Sequence, residues 1–285
     1  MSGVGPHRHR TRARAAPHPR RLPGVVAPIA VLLVSVSICL ACGGTLPPLR
    51  GQIEVGNESY AVVAAGANAA SGDLYAVRAA GGPVVPITFS TVGEMRPTLS
   101  PDGRRLAFLR GRLVGDSTPG SVWIMDLQTG GEREVRLPKQ AGTPSRVGWS
   151  RDGAALTVSA GAAIYRVRLA DKPSQTADAV PPPERAAAES NLAVLLGDPV
   201  FARVVACAEP DALCVATDSG TGPLAEHAHA ATRWGSDSVA FLTRGTIEVR
   251  PLGPGNARKI EWSGVPGRAL ALTAYVAEGG KADSR

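Results

Sequence analysis

Short apolar runs broken by Gly, Pro, Asp and Ser recur along the chain from Tyr60 to Tyr275. In "MRPTLSPDGRRLAFLRG", Met95 to Gly111, a turn divides two of them. Pro101 presets φ for the first central position, Asp102 can accept from nearby amides, and Gly103 tolerates positive φ. Beyond the turn, alternation places Leu106 and Phe108 on one face of a strand and Ala107 and Leu109 on the other. In "SVWIMDLQTGG", Val122, Ile124 and Asp126 face one side, and Trp123, Met125 and Leu127 the other. A run apolar on both faces predicts a strand covered on both sides. "REVRLP" adds a further short strand. The unit is therefore strand, Pro-Asp-Gly turn, strand, loop, strand, Gly-Gly turn, strand.

The unit repeats. Trp149-Ser150-Arg151-Asp152-Gly153 overlays Leu99-Ser100-Pro101-Asp102-Gly103 at an offset of 50 residues. Trp234-Gly235-Ser236-Asp237-Ser238 follows 85 residues after Trp149. Residues 201–223 supply two more strands, and residues 59–90 keep the same rhythm. Self-similarity at roughly 40–50 residues, with four short strands per unit, marks a propeller. No blade can bury its own faces, so neighbours must stack around an axis. The expected fold is all-β, a β-propeller of about five four-stranded blades, six being the upper count. A β-sandwich would also give short strands and turns. Three Asp-bearing turns in matched positions favour the propeller.

The pattern R-P-x-L-S-P-D-G-R-R-L-A-F followed by V-W-I-M-D-L-Q-T-G-G resembles the WD40-like PD40 repeat of the TolB propeller family. The match is strong over residues 96–131, fair over 145–171 and weaker over 232–254, and only rhythmic over 60–90 and 200–223. Arg151 stands where the pattern has proline, and Ser238 where it has glycine. The resemblance implies a propeller over most of residues 51–279. Similar propellers occur in envelope proteins and beside hydrolase domains of serine peptidases, and fold does not fix activity.

The N-terminus speaks to location. Residues 1–22 hold Arg8, Arg10, Arg12, Arg14, Arg20 and Arg21 and no acid, and residues 24–41 are apolar apart from two serines. A basic region, an apolar region and small residues before a cut make an export signal, here residues 1–41. "ICLAC" also resembles a bacterial lipobox, which implies lipidation of Cys42; Cys39 is its departure. The alternatives are an uncleaved anchor, which Pro28 weakens, and simple secretion. Residues 42–58 are expected to form a tether, 59–279 the propeller domain, and 280–285 a disordered tail.

Charge then changes meaning. The chain has 31 Lys+Arg against 24 Asp+Glu. Removing residues 1–41 takes away six arginines and leaves a near balance, so the basic character belongs to the signal. Nucleic-acid binding loses its main support, because no basic stripe remains.

Two of the four cysteines lie in the signal region, and Cys207 and Cys214 remain. A turn centred on Pro210-Asp211 would place them opposite each other in one hairpin. In an oxidising compartment they are expected to form a disulfide; two buried thiols are the alternative. Two thiols do not complete a zinc set.

Catalytic chemistry is sparse. G-x-S-x-G, H-E-x-x-H and P-loop patterns are absent. His227 and His229 would share a face if "EHAHA" is a strand, and a blade-edge position makes them solvent-facing. Asp102, Asp152 and Asp237 recur, with Gly103 and Gly153 in the first two copies. Recurrence argues for a structural task. Trp123, Trp149 and Trp234 sit at strand or repeat-matched positions and read as core. The stretch 171–190, rich in Pro and Ala, reads as a blade-connecting loop with a small outer strand. The expectation is a non-catalytic, lipid-anchored propeller on the extracytoplasmic face of the membrane, without a cofactor, recognising an envelope protein or ligand. The alternative is a hydrolase-type or carbohydrate-binding propeller that uses the central funnel.

Overall fold

The structure, a computed structural model, describes residues 48–67, 72–111, 120–169, 177–193, 203–209, 211–217, 219–252 and 254–278. The signal region, Cys42 and the C-terminal tail lie outside the described residues. Among the described residues no helix is long and apolar enough to cross a membrane.

The strands in chain order are β1 (Tyr60–Gly66), β2 (Asp73–Arg78), β3 (Gly82–Pro83), β4 (Val85–Pro86), β5 (Glu94–Leu99), β6 (Arg105–Arg110), β7 (Ser121–Asp126) and β8 (Glu132–Val135). They continue as β9 (Pro144–Trp149), β10 (Ala155–Ala160), β11 (Ala163–Arg168), β12 (Ala177–Ala179), β13 (Arg203–Ala206), β14 (Ala212–Thr217) and β15 (Gly220–Glu226). The last five are β16 (His229–Trp234), β17 (Ser238–Leu242), β18 (Thr246–Pro251), β19 (Arg258–Ser263) and β20 (Arg268–Tyr275). They form five sheets, the blades of a propeller. Blade 1 runs β20-β1-β2-β4, blade 2 β5-β6-β7-β8, blade 3 β9-β10-β11-β12, blade 4 β13-β14-β15, and blade 5 β16-β17-β18-β19-β3. The C-terminal strand β20 thus completes the blade that the N-terminal strand β1 begins.

Alternation divides each blade between two cores. In blade 2, Leu106, Phe108, Met125 and Leu127 join Tyr60, Val62 and Leu74 of blade 1. Ala107, Leu109, Val122 and Ile124 join Val147, Trp149 and Leu156 of blade 3. In β1, Ala61, Val63 and Ala65 turn the other way, onto Trp234, Ala240 and Leu242 of blade 5. Val239 and Phe241 of blade 5 meet Leu213 of blade 4. Among the described residues no such cluster joins blades 3 and 4.

Helix α1 (Arg185–Leu192) packs on β9 and β10 instead. The stretch expected as a loop therefore carries the helix as well as its small strand β12. Three successive alanines, 186–188, favour helix, and Ala188 is its buried contact. A Cβ at Gly148 would lie 1.9 Å from the Asn191 carbonyl oxygen, so only glycine lets the helix end approach β9.

The tether needs correction too. Residues 48–58 form turns, and Leu49 and Ile53 are buried in the core between blades 1 and 2. Their side chains find an apolar face there that a free tether would leave in water.

Candidate functional site

The repeated turns lie between the first two strands of blades 2, 3 and 5. In blade 2 the Ser100 hydroxyl donates to Asp102 Oδ1 (2.5 Å), and Asp102 Oδ1 also accepts from the Arg104 amide (3.1 Å). The Arg105 amide donates to Ser100 Oγ (2.9 Å). Blade 3 repeats the set with Ser150, Asp152, Ala154 and Ala155 at 2.6, 3.0 and 2.9 Å. Gly103 and Gly153 take φ of 65° and 68°. Burial works against the Asp102 carboxylate, but the Ser100 hydroxyl, the Arg104 amide and the nearby guanidinium groups outweigh it and hold the group below the usual range. The Ser150 hydroxyl and the Ala154 amide do the same for Asp152.

Asp237 stands apart. Trp234 pairs directly with Ser238, whereas Leu99 pairs with Leu106 and Trp149 with Leu156. The third turn is shorter, and Asp237 Oδ1 accepts from the Ser238 hydroxyl (2.9 Å). Gly235 occupies the slot of Ser100 and Ser150, so the hydroxyl that organises the other two turns is missing. That serine is the member of the device that the motif reading passed over.

The turns also fasten blades. Tyr60 in β1 donates to the Gly103 carbonyl (2.5 Å), and Arg105 in β6 donates to the Gly153 carbonyl (2.9 Å). Each glycine carbonyl is thus held by the second strand of the preceding blade. Burial above all pushes the Tyr60 phenol well above its ordinary pKa, so it stays a donor. Trp149 donates from Nε1 to the Thr98 carbonyl (2.9 Å), and its ring lies 4.8 Å beneath the Arg105 guanidinium. Trp149 and Trp234 are buried; Trp123 is half-buried under Arg110 at 4.3 Å.

Arg110 is a second junction. Its Nη2 meets Glu94 Oε1 at 2.7 Å and Glu132 Oε2 at 2.9 Å. The Glu94 side chain is fully buried, and its Oε2 makes no hydrogen bond of acceptable geometry. Burial raises the Glu94 pKa, and this outweighs the opposing pull of the Thr88 hydroxyl and Arg110.

Cys207 and Cys214 are joined by a disulfide, with Cα atoms 5.2 Å apart. The expected register is displaced by two residues: Cys214 lies opposite Val205, and the Cys207 amide donates to the Ala212 carbonyl. The hairpin closes at Cys207 and Ala212, a wider connection centred one residue earlier than the expected turn, with Asp211 at φ 57°. The bridge runs diagonally. His227, at φ 53°, sits at the corner between β15 and β16, so "EHAHA" is not one strand. His229 Nε2 lies 3.0 Å from the Ala269 carbonyl oxygen. Among the described residues no group of three or more His, Cys, Asp or Glu side chains is placed to hold a metal.

Among the described residues a concavity lies between the innermost strands, along the propeller axis. Two cavities of about 570 and 890 Å³ share Thr98, Asn191, Ala193, Arg233 and Ala274. The walls come from β5, β9, β16 and β20, with the end of α1 as the fifth side. Arg96, Arg146 and Arg233, each exposed to the solvent space, line the smaller cavity, and no acidic residue does.

No family model matches the sequence, and no curated protein does. Among solved structures the chain is similar to TolB from Acinetobacter baumannii, with 15% identity over 84% of this chain and 60% of that one, at a TM-score of 0.38. It is similar to the periplasmic gluconolactonase of Pseudomonas aeruginosa, with 16% identity over 79% and 70% of the two chains and a TM-score of 0.33. It is also similar to the propeller domain of the Trilobed protease from Pyrococcus furiosus, with 12% identity over 72% and 84% and a TM-score of 0.38. The chain spans about 60% of the length of the Acinetobacter protein. These likenesses assign no activity to this chain.

Proposed function

We propose that the chain is an exported, non-catalytic binding module, held by lipid on Cys42 at the extracytoplasmic face of the membrane, that presents its axial cavity to an envelope protein or ligand. The cavity carries the binding part of this reading: four inner strands from four blades converge on one space, and its smaller part, lined by Arg96, Arg146 and Arg233, has no acid in its wall, the one acid of the adjoining part being Glu278. Export is supported by the Cys207–Cys214 bridge, since such bonds persist in oxidising compartments.

The binding test places a photocrosslinking residue at Thr232, on the cavity wall, in the full-length chain in cells. Discrete adducts are expected in the membrane fraction, and none from the same residue at exposed Glu134. Identical adducts from both positions, or turnover of lactone substrates by the purified chain, would overturn the reading. The anchor is tested with Cys42→Ser, which is expected to abolish lipid labelling and leave uncut precursor. Unchanged migration and membrane partition would refute lipidation. Firm attachment requires more than one acyl chain.

A further inference from the structure

The three arginines of the smaller axial cavity come from three blades: Arg96 from β5, Arg146 from β9 and Arg233 from β16. Among the described residues the guanidinium groups of Arg96 and Arg233 make neither an ion pair nor a hydrogen bond. Arg146 donates only to the Leu192 carbonyl at the end of α1. Arg78, Arg110, Arg166, Arg250 and Arg268 each face a carboxylate, while among the described residues Arg133, Arg136, Arg151 and Arg168 do not, so what sets the cavity apart is three guanidinium groups around one space. With 24 acids in the chain, an acid-free wall holding three guanidinium groups is a local arrangement and not a consequence of composition.

The backbone at the same place is irregular. The four strands that line the cavity all break register towards this end: β5 between Met95 and Thr98, β9 at Ser145, β16 at Ala230 and β20 at Leu270. Arg96 (φ 50°) and Ala230 (φ 46°) hold left-handed conformations that are strained for a non-glycine residue, and both line the cavity. Such conformations cluster at binding sites. Bulges re-aim side chains and end strand pairing. Here they take Arg96 out of the alternation that gives the rest of its strand to the blade faces.

Guanidinium groups bind phosphate and carboxylate oxygens in a two-pronged fashion, and several around one space favour a ligand with several negative oxygens. A volume of about 570 Å³ is in the range of small-molecule sites. We propose that this cavity binds a small multiply charged anion, a phosphate ester or polycarboxylate, through Arg96, Arg146 and Arg233. The proposal rests on the binding-module reading and narrows its ligand.

The test titrates the full-length chain in detergent with pyrophosphate and with citrate at constant ionic strength, by calorimetry. Saturable binding of at least one is expected, and which one binds distinguishes the phosphate source from the carboxylate source. Arg96→Gln and Arg233→Gln should each weaken it about tenfold or more, with the thermal transition showing that both variants remain folded. Lys259→Gln, exposed on β19, should change nothing. The proposal falls if neither anion saturates, if the Lys259 variant loses as much as the arginine variants, or if an oligoglutamate peptide binds more tightly than both. Thr232 crosslinks that form in cells while neither anion binds would leave the module reading standing and sink this one alone.

Discussion

Asp102 shows what one repeated side chain does. It ties the Ser100 hydroxyl and the Arg104 amide into a turn whose glycine carbonyl receives Tyr60 from the preceding blade. Asp102→Ala should lower stability by about 0.5–1.5 kcal/mol, one hydrogen bond's worth, read as a fall in melting temperature. Gly103→Val should cost more. It forces a β-branched residue to φ 65°, and its Cβ would lie 2.4 Å from Tyr275 Cγ, so strain of roughly 1 kcal/mol is the minimum. If Asp102→Ala left stability unchanged but removed binding at the axial cavity, the turn would have to be counted as a site. The pH dependence follows from the depressed pKa. The stability Asp102 contributes is present above its unfolded value, about 4, and is lost as pH falls through its lower folded value. The melting difference between wild type and Asp102→Ala should therefore shrink in acid, and a difference constant from neutral pH downward would contradict this.

Elements are held by contacts that skip along the chain. Arg110, at the end of β6, neutralises buried Glu94 on β5, meets Glu132 on β8 and lies over Trp123 on β7, so one side chain clamps all four strands of blade 2. Arg110→Ala would leave Glu94 buried without its partner, which typically costs about 3–5 kcal/mol. Adding Glu94→Gln should recover part of that loss in equilibrium denaturation; no recovery would mean that the charge is not what Arg110 serves. In blade 4, non-reducing peptide mapping should find Cys207 joined to Cys214, and replacing both by serine should cost about 2 kcal/mol through the loop entropy the bridge removes. Free, alkylatable thiols in protein from the envelope would refute the bridge. The pairing of these cysteines was legible from their spacing, but the register was not. A hairpin's register depends on the turn it adopts, and the left-handed Asp211 is a conformation no residue type alone dictates.

At the scale of the whole molecule, stability rests on closing the ring. Every residue of β1 is buried, and β20 covers its inner edge. Deleting residues 268–285 should abolish the cooperative thermal transition, and a shortened chain that still melts cooperatively would show closure to be dispensable. The sequence by itself determined most of the strands, the two Ser-x-Asp-Gly turns and, along those strands, which residues share a face. Leu106 and Phe108 do pack away from Ala107 and Leu109, because alternation is a property of the extended backbone itself. It also determined a repeat too short to bury its own faces, and hence the propeller. Tertiary structure alone decided the rest. Leu49 and Ile53 look like linker residues until blades 1 and 2 offer them an apolar face. The end of α1 enters the wall of the axial cavity because Gly148 lets it approach, a contact between positions more than 40 residues apart. Arg96, Arg146 and Arg233 are ordinary surface arginines in the sequence. They become one site because three blades turn their inner strands to the same axis, and that convergence comes from packing between blades, which no local pattern encodes.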